Sequence, residues 1–439
     1  MNSIESFIKA HSVNSPDKDA IVAGNAKVCY RQLWSMIEER YESLRSSMRR
    51  INTVRTTQSA DFLVEYFASH LAGVIFVPLA SDIPAEDFNS INLELSKLDM
   101  PDEASEILYT TGTTGKVKGT IIGKEGILAN AENLIDAHRY TADNAFIVTG
   151  PLNHIGSLSK VWPTMIAGGT LVITEGMKDF EAFFSALSYP STRLATFLVP
   201  ASIRMLLQFA RKRLAAYADR IDFIETGAAA ISQSDMEALC EVLPDTRLYN
   251  TYASTETGII CTHDFNAGHC VAGCLGLPMK NSSVYISEDG AISTSGKTTM
   301  LGYAGDAGLT RSVIRDGRCH TQDYGYFDEE GRLNLKGRNG DVINVGGYKV
   351  NPLDVENAAM SHPDVRDCIC VAAAHPVLGT ALRLLVATKG EAVLDKRAIA
   401  LFLRERLEGY MVPQMYAQVD KIARTYNGKL DRKSYTDHK

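Results

Sequence analysis

Tyr109-Thr110-Thr111-Gly112-Thr113-Thr114-Gly115-Lys116-Val117-Lys118-Gly119 holds hydroxyls, glycines and cations more densely than any other stretch of this 439-residue chain. Such a run brings backbone N–H groups, threonine hydroxyls and two ammonium groups to phosphate oxygens, while the glycines let the backbone approach closely. The apolar flanks Ile107-Leu108-Tyr109 and Thr120-Ile121-Ile122 predict short strands on either side, so a sheet holds the loop. A solvated Thr/Gly-rich turn is the plainer alternative. A Walker A loop is excluded: the glycine expected five residues before Gly115 is Thr110, and Val117 follows the lysine where Ser or Thr should meet magnesium.

Four later segments belong with this one: Tyr252-Ala253-Ser254-Thr255-Glu256, His320-Thr321-Gln322-Asp323, the run from Gly337 to Val350, and Arg424 to Arg432 containing Asn427-Gly428-Lys429-Leu430-Asp431. In this order they resemble the nucleotide motifs of the adenylate-forming superfamily, which includes acyl-CoA synthetases, peptide-synthetase adenylation domains and beetle luciferases. The pattern resembles the acyl- and aryl-CoA ligases most. Thr111, Val117, Ala253 and Gln322 depart from the usual residues, and the changes at Thr111 and Val117 remove no phosphate donor. Tyr30 to Leu33 and Gly73 to Leu79 match only loosely. Between Ala80 and Tyr109 lie only 28 residues, fewer than the family usually carries, which marks the chain as a shortened member.

The resemblance implies an α/β fold, with a large N-terminal domain of layered sheets and helices and a small, mobile α+β C-terminal domain. The pattern along the chain agrees. Apolar runs at 145–148, 170–173 and 194–199 each precede a segment with helical spacing, and a hairpin about Gly24-Asn25 precedes a helix from Arg31 to about Arg49. Asn351-Pro352 reads as N-cap and first position of a helix that His362-Pro363 closes. Strands at 367–374 and 382–387 and a helix from Lys396 to about Leu407 follow. The expected domains are 1–340 and 341–439, with Gly340 as the hinge; the alternative for Gly340 is a simple Asn-Gly turn.

The implied chemistry is attack of a carboxylate on the α-phosphate of ATP, releasing pyrophosphate, then transfer of the acyl group to a pantetheine thiol. Positioning and charge neutralisation dominate such a reaction. By resemblance Thr110, Thr111, Gly112, Thr113, Thr114, Gly115 and Lys118 take the β- and γ-phosphates, and Thr255 donates to the α-phosphate. Glu256 holds Mg²⁺, which commonly takes one carboxylate plus phosphate oxygens. Tyr252 lies along the adenine, and Gly227-Ala228-Ala229 walls it. Asp323, with Arg338 beside it, accepts both ribose hydroxyls. Lys429 is the catalytic cation, although one more solvated lysine among its basic neighbours is the alternative reading. His154 gates the acyl pocket or is a bonded core histidine. Helical spacing from His154 places Leu158, Val161 and Met165 on the pocket face and turns Lys160 elsewhere, which predicts an apolar wall.

No aspartate near His154 stands ready for an α-ammonium, so an aryl or aliphatic acid is expected rather than an amino acid. Only seven residues follow Arg432, which points to a diffusing acceptor. Gly346 and Gly347 resemble the pair lining the pantetheine tunnel, and Gly227 borders the same pocket. CoA is expected, with a free-standing acyl carrier protein as the alternative. A non-catalytic nucleotide-binding relative and an unrelated phosphate-binding protein are the readings of other classes. A net charge of −7 without a basic block disfavours a general nucleic-acid binder. The longest apolar run, Leu71 to Ala80, is too short to span a bilayer, and Met1 to Lys9 lacks a signal sequence, so a cytoplasmic location is expected. Monomer and homodimer are both left open. Eight scattered cysteines make no disulfide framework, and Cys261, His263, His269, Cys270 and Cys274 do not match paired zinc spacings, so no structural zinc is expected.

Overall fold

A computed structural model describes residues 3–111, 117–177, 180–338, 340–345, 348–376, 379–390, 392–425 and 430–435. Its backbone is a 14-stranded sheet, a five-stranded sheet, a two-stranded ribbon and a three-stranded sheet. Six neighbouring strands of the large sheet run parallel: Asp19–Ala23, Thr170–Ile173, Ala145–Val148, Leu194–Leu198, Ile221–Thr226 and Arg247–Ser254. Parallel strands are covered on both faces, so a central one such as Ala145–Val148 is apolar throughout rather than alternating. Phe146 and Val148 accordingly join one core while Ala145 and Ile147 join the other.

Beyond Arg247–Ser254 the sheet continues antiparallel through Gly258–Asp264, Cys274–Pro278, Leu333–Arg338 and Arg318–Phe327. The close approach of Gly258–Asp264 to Cys274–Pro278 depends on Gly276, whose φ is +78° and whose absent Cβ would lie 2.0 Å from the Thr262 carbonyl oxygen. In the five-stranded sheet, Ala104–Thr111 and Val117–Gly123 form the antiparallel pair on either side of 112–116. The strand Ile75–Leu79 reaches Ala104–Thr111 through one helix, Ala85–Leu95. That single crossover occupies the stretch between Ala80 and Tyr109.

The hairpin about Gly24 forms as expected, and the following helix runs over Tyr30–Ser46. Asn351 caps Pro352–Met360 by accepting the Leu353 N–H. The strands Val365–His375 and Gly379–Thr388 and the helix Lys396–Arg404 follow. Two apolar clusters, one around Val355, Leu384 and Leu403 and one around Ile369 and Leu385, draw only on residues from Ile343 onward. Arg204, on Pro200–Phe209, spans the two parts of the chain, meeting Asp235 at 2.7 Å and Asp367 at 2.6 Å; Arg424 also meets Asp367, at 2.8 Å. Among the described residues no helix is long and apolar enough to cross a membrane.

Candidate active site

Parallel α/β sheets collect their ligand-binding groups at the carboxyl ends of the strands. Here the ends of Ala145–Val148, Ile221–Thr226 and Arg247–Ser254 deliver His154, Gly227 and Tyr252 to one edge. His154 caps the helix Ile155–Ala167, its carbonyl accepting from the Ser157 and Leu158 N–H groups, and it is half-buried. Gly227 is buried, and a Cβ there would lie 2.7 Å from the Thr251 carbonyl oxygen, so a side chain is excluded. Ala228 takes a left-handed φ of +65°, rare for a residue with a Cβ, and is exposed; Ala229 is half-buried.

Two polar groups stand beside this edge. In the first, the Tyr252 hydroxyl donates to Asp323 Oδ2 at 2.6 Å, and Arg338 Nε lies 3.5 Å from Asp323 Oδ1. Asp323 and Arg338 are direct partners across adjacent strands, which fixes their spacing in the backbone. Burial and the Asp323 carboxylate push the Tyr252 phenol well above its ordinary range, so it stays a donor. In the second group, the Tyr303 hydroxyl donates to Glu256 Oε1 at 2.9 Å, and Lys118 Nζ lies 5.6 Å from the centre of the Tyr303 ring. Tyr303 sits on Gly302–Tyr303, which pairs with the strand leaving 112–116, opposite Thr120. Thr255 is buried beside Glu256, and Thr110 is half-buried at the end of its strand.

The structure thus joins Tyr252, Asp323 and Arg338, and it joins Glu256 to the flank of the threonine-rich loop. Thr111 is described in its backbone only. Gly112, Thr113, Thr114, Gly115, Gly346, Gly347 and Lys429 lie outside the described residues. Arg424 and Leu430 form an antiparallel bridge on either side of 426–429. The Arg432 that follows is fixed to Glu356, with Nη2 to Oε2 at 2.9 Å, and donates to the Cys370 carbonyl at 2.8 Å. Gly340 is exposed and outside the left-handed region, and a Cβ there would meet nothing within 4 Å.

Lys160 faces the interior of the protein rather than solvent. The helix Ile155–Ala167 is packed on all sides, and Leu158, Val161 and Met165 are wholly buried in the main core. Lys160 is only 2% exposed, and its ammonium donates to Glu225 Oε1 at 2.6 Å. Tyr303 and Glu225 carry no motif, and Glu225 is one of two carboxylates, with Asp222, on the strand Ile221–Thr226. The structure also gathers His263, His269 and Cys274, whose ligand atoms lie within 4.8 Å of one another, a grouping that sequence spacing does not show.

Residues 92–304 match the AMP-binding enzyme family, and residues 354–429 match the AMP-binding enzyme C-terminal domain. Indoleacetate–CoA ligase of Aromatoleum aromaticum is 29% identical over 336 residues, covering 74% of this chain and 65% of the relative. The chain thus spans just under two thirds of that relative's length. Feruloyl-CoA synthase of an Amycolatopsis species is 26% identical over 379 residues, 83% of this chain and 75% of its own. Among solved structures, ATP-bound MatB from Rhodopseudomonas palustris superposes with a TM-score of 0.87 at 21% identity, over 99% of both chains. o-Succinylbenzoate CoA synthetase from Bacillus subtilis, holding its acyl-adenylate, superposes with a TM-score of 0.83 at 20% identity, over 99% of this chain and 98% of that one. Both domain matches in order, on this fold and around this edge, place the chain in the adenylate-forming AMP-binding enzyme family, together with the acyl- and aryl-CoA ligases.

Proposed function

We propose that the protein activates a carboxylic acid with ATP to an acyl-adenylate, releasing pyrophosphate, and passes the acyl group to the thiol of CoA. What carries this reading is the pairing of a ribose-type acceptor, Asp323 between Tyr252 and Arg338, with a carboxylate, Glu256, whose partner Tyr303 lies beside Lys118. Asp323 has no donor of its own, so the two ribose hydroxyls supply the hydrogens, and Tyr252 and Arg338 hold the carboxylate in place for them. Tyr303 orients Glu256, and Lys118 on the face of the same ring brings positive charge to the phosphates. A single carboxylate beside phosphate oxygens is the donor set Mg²⁺ prefers, so Glu256 would hold that ion, which neutralises phosphate charge when bound.

Lys429 would bring its ammonium to the attacking carboxylate and the bridging oxygen, lowering the repulsion between two anions as they meet. Gly346 and Gly347 would line the path of the pantetheine arm, and the unit 341–439 would turn about Gly340 between the two half-reactions. His154 and Gly227 would border the acyl group. The CoA-ligase names of the relatives support a thioester as the product. The test is acid-dependent exchange of labelled pyrophosphate into ATP across a panel of aryl, aliphatic and amino acids, followed by CoA thioester formation with the best acid. ATP binding without exchange for any acid would refute the enzyme reading and leave a nucleotide-binding relative.

A further inference from the structure

Three metal-binding side chains converge outside the nucleotide site. His263 stands near the end of the strand Gly258–Asp264, Cys274 opens Cys274–Pro278, and His269 lies on the connection between them. One ligand atom from each lies within 4.8 Å of the other two. Five residues separate His263 from His269 and four separate His269 from Cys274, a spacing that matches no paired zinc form, so the sequence predicts no structural zinc. The antiparallel pairing of the two strands, Thr262 opposite Leu277, is what closes the distance.

The surroundings prepare each ligand. A Cβ on Gly276 would lie 2.9 Å from His263 Cβ, so the bare glycine lets His263 stand against the neighbouring strand. His263 Nε2 donates to the His269 carbonyl oxygen at 2.8 Å. A carbonyl only accepts, so Nε2 carries the hydrogen, and Nδ1 of the neutral ring keeps its lone pair. Burial lowers the His263 pKa, which keeps that ring neutral. Metal-ligating histidines are commonly oriented in this way, by their second nitrogen on a carbonyl. Cys274 is wholly buried, and its carbonyl accepts from Asn250 Nδ2 at 2.9 Å. Both imidazoles are half-buried, which leaves one side of the cluster toward solvent. Asp264 is committed elsewhere, its Oδ1 accepting from the Leu248 and Asn266 N–H groups at 3.1 and 3.2 Å. Arg332, paired with Asp328 and Glu330 at 2.8 Å each, acts on Cys274 and favours its thiolate.

We propose that His263, His269 and Cys274 bind one Zn²⁺ per chain, with a water from the open side as fourth ligand. Two nitrogens and a sulfur suit this ion and not the Mg²⁺ proposed at Glu256. Around tetrahedral Zn²⁺ the ligand atoms stand roughly 3.3–3.6 Å apart, and a small rotation of His269 on its connection closes the difference. Burial raises the Cys274 pKa, so the metal-free thiol is protonated; its proton passes to solvent as the ion enters. The ion is a structural pin. His263 lies opposite Asn250, two residues before Tyr252 on the next strand, so the ion ties the connection 265–273 to the strands beside the one that carries Tyr252. The inference is independent of the adenylation reading.

The experiment takes the full chain, stripped of metal by a chelator and kept reduced by a phosphine, and titrates it with Co²⁺ and Zn²⁺ in the absence of nucleotide. Co²⁺ should give a sulfur-to-metal charge-transfer band and the intense visible bands of a tetrahedral ion, and one equivalent of Zn²⁺ should bleach both. Competition with a chromophoric chelator should give one Zn²⁺ per chain, and the zinc-loaded chain should unfold at a higher urea concentration. His269→Gln and Cys274→Ser should each weaken Zn²⁺ binding at least about hundredfold, since even partners of a ligand are worth that much. Cys270→Ser, which changes a thiol outside the cluster, should leave it unchanged. No sulfur-to-cobalt band in the unaltered protein, or equally tight zinc in His269→Gln, overturns the proposal and means adventitious binding only. Loss of the band in Cys270→Ser but not in Cys274→Ser overturns it as well. The cobalt spectrum and His269→Gln, whose ring lies on a connection and not in a core, decide the matter even if Cys274→Ser fails to fold.

Discussion

At the scale of single residues, the nucleotide site and the core make separate claims. If Lys429 is the cation of the adenylation step, Lys429→Ala should cost roughly 3 kcal/mol, about a hundredfold in exchange rate, by analogy with deleted oxyanion donors, with ATP affinity nearly unchanged. Exchange at unaltered speed in that variant would reassign the lysine. In the core, Tyr66 donates to Glu106 Oε2 at 2.8 Å and accepts from Trp162 Nε1 at 2.7 Å. Burial pushes the Glu106 carboxyl up to about 8 and the nearby His70 down to about 3, so their 3.8 Å approach joins two neutral groups near neutral pH and is no ion pair. A raised carboxyl binds its proton more tightly in the folded state. Its contribution is full below the unfolded value near 4.5 and is lost as pH rises toward 8. His70 acts oppositely, its contribution full above about 6.5 and lost as pH falls toward 3. Glu106→Gln, permanently neutral, should therefore gain on the unaltered protein by about 3 kcal/mol between pH 5.5 and 8. Urea unfolding of both proteins across that range is the check, and parallel stability curves would show that Glu106 ionises normally.

At the scale of elements, the sequence reads well where a signal is local. Strand and helix alternate with the expected period because each element's apolar face follows from its own residues, and Asn351-Pro352 starts its helix because cap and first turn are adjacent in the chain. The helix Ile155–Ala167 shows the limit. Its position was legible, but the fate of Lys160 depended on Glu225, 65 residues away on a strand whose partners periodicity cannot name. The strand pair held by Gly276 gives a prediction of the same kind. Gly276→Ala would place a methyl 2.0 Å from the Thr262 oxygen at a φ of +78°, so one strand must move. A loss of at least about 2 kcal/mol is expected in urea unfolding, since strained backbone and overpacking act together. A variant as stable as the original would mean that the close approach of the two strands does not depend on Gly276.

At the scale of the whole molecule, the proposed alternation of the C-terminal unit meets two features of the structure. Arg204, Asp235, Asp367 and Arg424 link the two parts in one charge chain, and Gly340 lies in an exposed turn closed by the Asp341 N–H donating to the Arg338 carbonyl at 3.0 Å. Because Gly340 does not use a left-handed φ here, alanine fits this arrangement; the freedom of glycine would matter only in moving to another. Proline fixes φ near −65° and should bias the unit toward one orientation. Gly340→Pro is expected to keep much of one half-reaction and lose at least about tenfold in the other, the scale of roughly 1.4 kcal/mol of conformational bias. Pyrophosphate exchange and thioester formation from pre-made acyl-adenylate, measured on the same variant, separate the two. Equal losses, or none, would leave Gly340 an ordinary turn.

The sequence by itself determined the family, the order of the nucleotide motifs and the layered α/β plan. Phosphate loops, helix caps and strand faces are built from residues close together in the chain, so their chemistry survives as short patterns. Only the tertiary structure decided that Tyr252 donates to Asp323 across 71 residues, that Tyr303 orients Glu256 across 47, and that Lys160 is buried on Glu225. Those contacts are set by strand order and by burial. A hydrogen bond between distant residues leaves no period in the sequence, and a buried charge looks like an exposed one until its partner is known.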